Sequence, residues 1–231
     1  MHIHSAIVKG PNKKNLHDTL GIFNQKYFSL LVVADGLGSA KHSDFGAKQA
    51  VIAVQKAVNQ WRNLKKQENK VLIRLIHFFW NMLIEDSEFK KEECLTTCLF
   101  AYIDKKEHKI IFGQLGDGLI HFNSQNQTVS LKLFEDYNYT KSLGSSKSFS
   151  DWNMKIVSYN PKSFSVFLAS DGVSEDIEEN KESNFVEVLI NDLAKLKKKK
   201  RNKYLKQLLE NWPTKYHNDD KTICIAWEKK K

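Results

Sequence analysis

Phe28-Ser29-Leu30-Leu31-Val32-Val33-Ala34-Asp35-Gly36-Leu37-Gly38-Ser39 is an apolar run that stops at an acid followed by small residues. The run reads as a β-strand and the sequel as its exit turn. Two further acids share this setting. Ala169-Ser170-Asp171-Gly172 follows Phe164-Ser165-Val166-Phe167-Leu168, and Asn218-Asp219-Asp220-Lys221-Thr222 leads into Ile223-Cys224-Ile225-Ala226-Trp227. Carboxylates at the ends of apolar strands can be held at one sheet edge and converge. Oxygen ligands without accompanying Cys or His suit Mg2+ or Mn2+ rather than zinc. A pair of such ions can activate water and bind phosphate oxygens.

Outward from these motifs, residues 2–8 alternate as a strand that ends at Lys9-Gly10-Pro11. Residues 17–24 and 27–34 predict a hairpin turning at Asn24-Gln25-Lys26. Ser43-Asp44 starts a helix with Ala47, Ala50, Val51, Val54, Ala57 and Val58 at helical spacing. A second helix is predicted over 68–89, with a core stripe that includes Phe78, Phe79 and Trp80. From Thr96 the period becomes that of strands, at 96–104, 108–115, 117–123 and 127–133. Further strands fit 152–159, 164–170 and 222–227, and two helices fit 183–200 and 202–211. Segregated helices and antiparallel strands predict an α+β class with two stacked sheets flanked by helices.

The 231 residues suffice for one domain with a sizeable core, and no Pro/Gly/Ser linker divides them. No apolar stretch approaches the roughly 18 residues of a membrane span. Met1-His2-Ile3-His4 shows no secretory leader. The three cysteines, Cys94, Cys98 and Cys224, are too few for a disulfide framework, so core thiols in a reducing, cytoplasmic setting are expected. The net charge of +9 is concentrated in Lys195–Arg201 and Lys229–Lys231. Such a run can meet nucleic acid or an acidic protein, but no aromatic residues interleave with it, and a solvated helix end is the expected reading. His2 and His4 share one face of their strand, expected to be exposed.

Six motifs now stand in order: Asp35-Gly36-Leu37-Gly38-Ser39, Ser43-Asp44-Phe45-Gly46-Ala47, Leu95-Thr96-Thr97, Gly116-Asp117-Gly118, Ser170-Asp171-Gly172 and Asp219-Asp220-Lys221-Thr222. Single Asp-Gly pairs are common turn signals; this series resembles the metal-dependent protein phosphatases of the protein phosphatase 2C family, in their compact bacterial branch. The resemblance runs from about Lys9 to Trp227, on motif order. It implies a four-layer α-β-β-α sandwich of two antiparallel sheets flanked by helix pairs, spanning 1–231 as one catalytic domain. It implies hydrolysis of phosphoserine or phosphothreonine without a covalent phosphoenzyme, a phosphoprotein substrate and a cognate Ser/Thr kinase. By the same resemblance Asp35 bridges two Mn2+ or Mg2+ ions and the Gly36 carbonyl binds one. Asp171 and Asp219 complete the pair, Asp117 helps hold a third, weaker ion, and Asp18 orients metal-bound waters.

Three places depart from the family. Asn15-Leu16-His17-Asp18 has His17 where Glu or Gln is usual. An Arg expected shortly before is absent, so Lys13 or Lys14 is expected to bind phosphate as a point charge. Leu37 stands where some members carry a His as candidate general acid. The Asn138-Tyr139-Thr140 segment and Leu143-Gly144 also resemble the compact branch. Gly36 and Gly38 permit unusual dihedrals; Asp220 could bind metal but is expected to shape the turn before Thr222. His17 and the missing Arg leave a catalytically silent binding module as the alternative; a nucleic-acid-associated protein using the lysine run is a third.

Overall fold

The computed structural model describes residues 1–125, 127–132, 140–213 and 218–229. Leu133 of the predicted fourth meander strand, Asn138-Tyr139 and Lys230-Lys231 lie outside the described residues. The chain runs β1 (His2–Val8), β2 (Thr19–Asn24), β3 (Phe28–Ala34), α1 (Ser43–Arg62), α2 (Asn69–Glu85), β4 (Cys98–Asp104), β5 (Lys109–Leu115), β6 (Leu119–Ser124), β7 (Gln127–Lys132), β8 (Asn153–Ser158), β9 (Phe164–Ala169), a single turn α3 (Asp171–Ser174), α4 (Glu182–Lys195), α5 (Lys198–Glu210) and β10 (Lys221–Glu228). One antiparallel sheet has the order β1-β10-β9-β6-β7 and the other β2-β3-β4-β5-β8.

The unbroken apolar character of β3 has a direct cause: both of its faces are covered. Leu30, Val32 and Ala34 point to α1 and α2, where they meet Ala47, Ala50, Val54 and Trp80. Leu31 and Val33 point between the sheets, where they meet Leu99, Phe122, Leu168 and Cys224. On the far side α4 and α5 cover the first sheet through Val186, Leu189, Leu193 and Leu205. Fully burying a side chain of the size of Leu or Phe contributes about 1.5–3 kcal/mol, so these three cores fix which residue of each strand faces which layer. All three cysteines are buried thiols.

Register then places the strand ends. Thr19 pairs with Ala34, Leu119 with Ala169, and Ile223 with Ala169. The residues just beyond these ends, Asp18, Asp35, Asp117, Asp171 and Asp219, are therefore brought to one edge of the sandwich.

Several expectations are corrected. The α4–α5 break falls at Leu196-Lys197, both extended, rather than at residue 201. An earlier break lets Arg201 turn inward, where its Nε donates to the Leu196 carbonyl. His4 is buried under α5, not exposed, with Nδ1 2.6 Å from Asn202 Oδ1. Of the α2 stripe, Trp80 is buried but Phe78 is 54% exposed. The glycines at positive φ are Gly116, Gly118 and Gly144, not Gly36 or Gly38.

Candidate metal centre

Asp35 is held first through its backbone. Its N–H donates to Thr97 Oγ1 at 2.9 Å, and its carbonyl accepts from Thr97 N–H at 2.8 Å and Thr96 Oγ1 at 2.9 Å. The following Gly36 is needed for close approach, because a Cβ there would lie 2.6 Å from the Ser43 carbonyl at the start of α1. Asp117 sits between Gly116 at φ 85° and Gly118 at φ 104°, left-handed conformations that favour glycine. Gln114 was not anticipated. Fully buried, it donates from Nε2 to the Gly116 and Gly118 carbonyls at 3.2 and 3.1 Å and braces the turn. A polar residue within the apolar Ile110–Leu115 strand was the available signal.

Carboxylate oxygens of Asp35, Asp117 and Asp171 all lie within 4.8 Å of one another. Asp171 is held by the first turn after β9, where Gly172 N–H donates to its Oδ1 at 2.5 Å. Gly172 also lets the β10 lead-in approach, since a Cβ there would lie 2.1 Å from the Asp220 carbonyl oxygen. Asp219 stands beside Asp171 and accepts an ion pair from Lys13 Nζ at 2.9 Å. Thus Lys13 reaches Asp219, whereas Lys14 is exposed and lends its carbonyl to Lys9 Nζ. Of the two lysines expected to bind phosphate, Lys13 is the one that meets an acid of the site.

Asp18 is 3% exposed. Its Oδ2 accepts from Ser170 Oγ at 2.8 Å and Thr222 Oγ1 at 2.6 Å, two hydroxyls that sequence reasoning passed over. Its Oδ1 is buried without a hydrogen-bond partner among the described residues. His17 Nδ1 lies 3.4 Å from Ser43 Oγ. Asp220 accepts from Gly10 and His17 N–H groups.

Crowding of like charges in a poorly hydrated site disfavours ionisation. Burial, then the charges of Asp171 and Asp18, hold the Asp35 carboxyl well above the usual carboxylate range. Burial with the charges of Asp219 and Asp18 pushes Asp171 up to about 6. Burial also raises Asp18. Burial works against charge on Lys13, but Asp219, with Asp220 and Asp35 behind it, outweighs that and raises it. An all-oxygen donor set and mutually repelling acids, whose shared proton a cation would displace, together fit hard divalent cations.

A family model for protein phosphatase 2C matches residues 11–210. No curated protein matches the sequence significantly. Among solved structures, a bacterial serine phosphatase is 22% identical, with TM-score 0.69 over 100% of this chain and 99% of that one. The serine/threonine phosphatase Stp1 from Staphylococcus aureus is 21% identical, with TM-score 0.68 over 97% and 94%. The phosphatase domain of the cell-fate determinant SpoIIE from Bacillus subtilis, solved with a fragment of its regulatory domain, is 12% identical, with TM-score 0.63 over 98% of this chain and 63% of that one. At these identities the likeness is one of fold.

Proposed function

Since the chain belongs to the protein phosphatase 2C family, we propose that it hydrolyses phosphoserine and phosphothreonine in proteins at the edge where Asp35, Asp117 and Asp171 converge. That convergence within 4.8 Å is the observation that carries the reading. Asp35, Asp171 and Asp219, with the Gly36 carbonyl, would hold two Mn2+ or Mg2+ ions, and Asp117 a third. Bound there, the ions would supply water activation and charge neutralisation for an in-line displacement at phosphorus. Lys13 binds a phosphate oxygen, exchanging its Asp219 partner for the substrate. Asp18, fixed by Ser170 and Thr222, directs its remaining oxygen to the water that attacks. A cognate Ser/Thr kinase supplies the phosphoprotein. No helix among the described residues is long and apolar enough to cross a membrane.

Nucleic-acid binding through the lysine run loses support from Arg201, which is buried against Trp227 rather than offered to a partner. The test is hydrolysis of a phosphoserine peptide with Mn2+, with EDTA and with no addition. Mn2+-dependent turnover that EDTA removes is expected. Undiminished turnover in excess EDTA, with metal removal verified, would overturn the metal-centre reading. Calorimetric Mn2+ binding without turnover would establish the silent module instead.

A further inference from the structure

Asp220 is the acid that the metal centre leaves over. It follows Asp219 directly, yet the two side chains part. Asp219 meets Lys13, while Asp220 is 1% exposed and turned to the backbone of another segment. Both of its oxygens are engaged: Gly10 N–H donates to Oδ1 at 2.7 Å and His17 N–H to Oδ2 at 2.6 Å. Bonds from N–H groups to a carboxylate are among the stronger protein hydrogen bonds.

These two amides are the two ends of one loop. Gly10 leaves β1 in one sheet and His17 leads into β2 in the other. Between them the loop carries Lys13, and beyond it comes Asp18. Lys13 N–H closes back on the Gly10 carbonyl at 3.2 Å. The fit at Gly10 is tight, since a Cβ there would lie 1.9 Å from the Asn218 carbonyl oxygen. One side chain thus ties the crossover between the sheets to the lead-in of β10, which bears Asp219.

We propose that Asp220 is a positioning residue, whose carboxylate clamps the β1–β2 crossover and so sets Lys13 and Asp18 against the acids they serve. The inference rests on the phosphatase reading of the site. It assigns Asp220 no contact with metal or substrate, because the side chain is 1% exposed and both oxygens are turned to backbone N–H groups of the β1–β2 loop.

Three variants separate position from charge. Asp220→Asn loses the charge and one acceptor. Gly10→Ala keeps Asp220 and its charge but forces the loop away from Asn218. Lys13→Ala removes the group that the clamp places. Each is compared with the parent for Mn2+ affinity by calorimetry, for kcat and KM on one phosphoserine peptide, and for amide exchange at Gly10 and His17. Asp220→Asn and Gly10→Ala are both expected to raise KM and weaken Mn2+ binding, each on the order of tenfold, the scale for groups that orient ligands. Adding Lys13→Ala to either should raise KM little further, because the lysine is already displaced. Faster amide exchange at Gly10 and His17 with unchanged KM and Mn2+ affinity would overturn the proposal. So would full additivity with Lys13→Ala. If the parent cleaves no phosphopeptide, the functional reading fails, and the Mn2+ affinities alone still decide the clamp. Asp220→Glu, which keeps the charge and shifts the acceptors by one methylene, replaces Asp220→Asn if that variant does not fold, with the same outcomes.

Discussion

Asp35 combines two demands on one residue: a backbone pinned by Thr96 and Thr97 and a carboxyl crowded by Asp171 and Asp18. Asp35→Asn keeps the first and removes the second. It should therefore leave the fold intact and lower kcat by more than the roughly 10–100-fold that loss of an orienting partner costs. Turnover within threefold of the parent would place the site elsewhere. The crowding has a consequence for pH. A cation needs the carboxylates deprotonated, and Asp171 is pushed up to about 6 with Asp35 raised alongside it. Mn2+ affinity should therefore rise with pH through about 6, with protons released on binding. Calorimetry in two buffers of different ionisation enthalpy measures the release. A pH-independent affinity with no proton release across that range would contradict the raised acids.

At the scale of elements, α5 docks on β1 through residues that the sequence presented as a basic run and an exposed strand face. Arg201 Nη1 donates to His2 Nδ1 at 3.0 Å, and its guanidinium stacks 5.3 Å from the Trp227 ring. His2 and His4 flank the same ring at 5.2 and 5.4 Å. Burial, then the Arg201 charge, lowers His2, against an opposing pull from Glu228 and with the N-terminal amine and Lys198 adding to the fall. His4 is lowered chiefly by burial and also by Arg201, His2 and Lys198, while its bond to Asn202 opposes. A histidine lowered in the folded state contributes stability that is complete above its unfolded value of about 6.5 and is lost as pH falls through the folded value. Acid below about 6.5 should thus loosen α5 from β1 before global unfolding, seen as a change in Trp227 emission. His4→Gln should shift that transition downward, and an unshifted transition would assign it to other groups.

For the whole molecule, the converging acids Asp35, Asp117 and Asp171 come from β-strand ends of both sheets, so an ion held there would tie the two sheets together. A ligand that binds only the folded state stabilises it by about 2.7 kcal/mol at a hundredfold excess over Kd. Mn2+ should raise Tm, EDTA should reverse the rise, and Asp35→Asn should abolish it. An equal Tm with and without Mn2+, for protein shown by calorimetry to bind it, would exclude that coupling. The sequence alone determined the class, the order of the main strands and helices and the acids at strand ends, because each is written in local period and turn chemistry; the α4–α5 break and the α3 turn it left to the fold. Phe28–Ala34 and its Asp35-Gly36 stop could be read without any partner. The tertiary structure decided that Lys13 rather than Lys14 meets Asp219, that Ser170 and Thr222 hold Asp18, that Gln114 braces the Asp117 turn, and that Asp220 clamps a loop. It also decided that His4 and Arg201 are buried between α5 and its sheet. Apart from the Gln114 brace, whose partners Gly116 and Gly118 are close in sequence, these choices depend on a partner distant in the chain, as Gly10 and Asp220 are, 210 positions apart. Local propensity carries no information about which polar group will stand opposite once the sheets have packed.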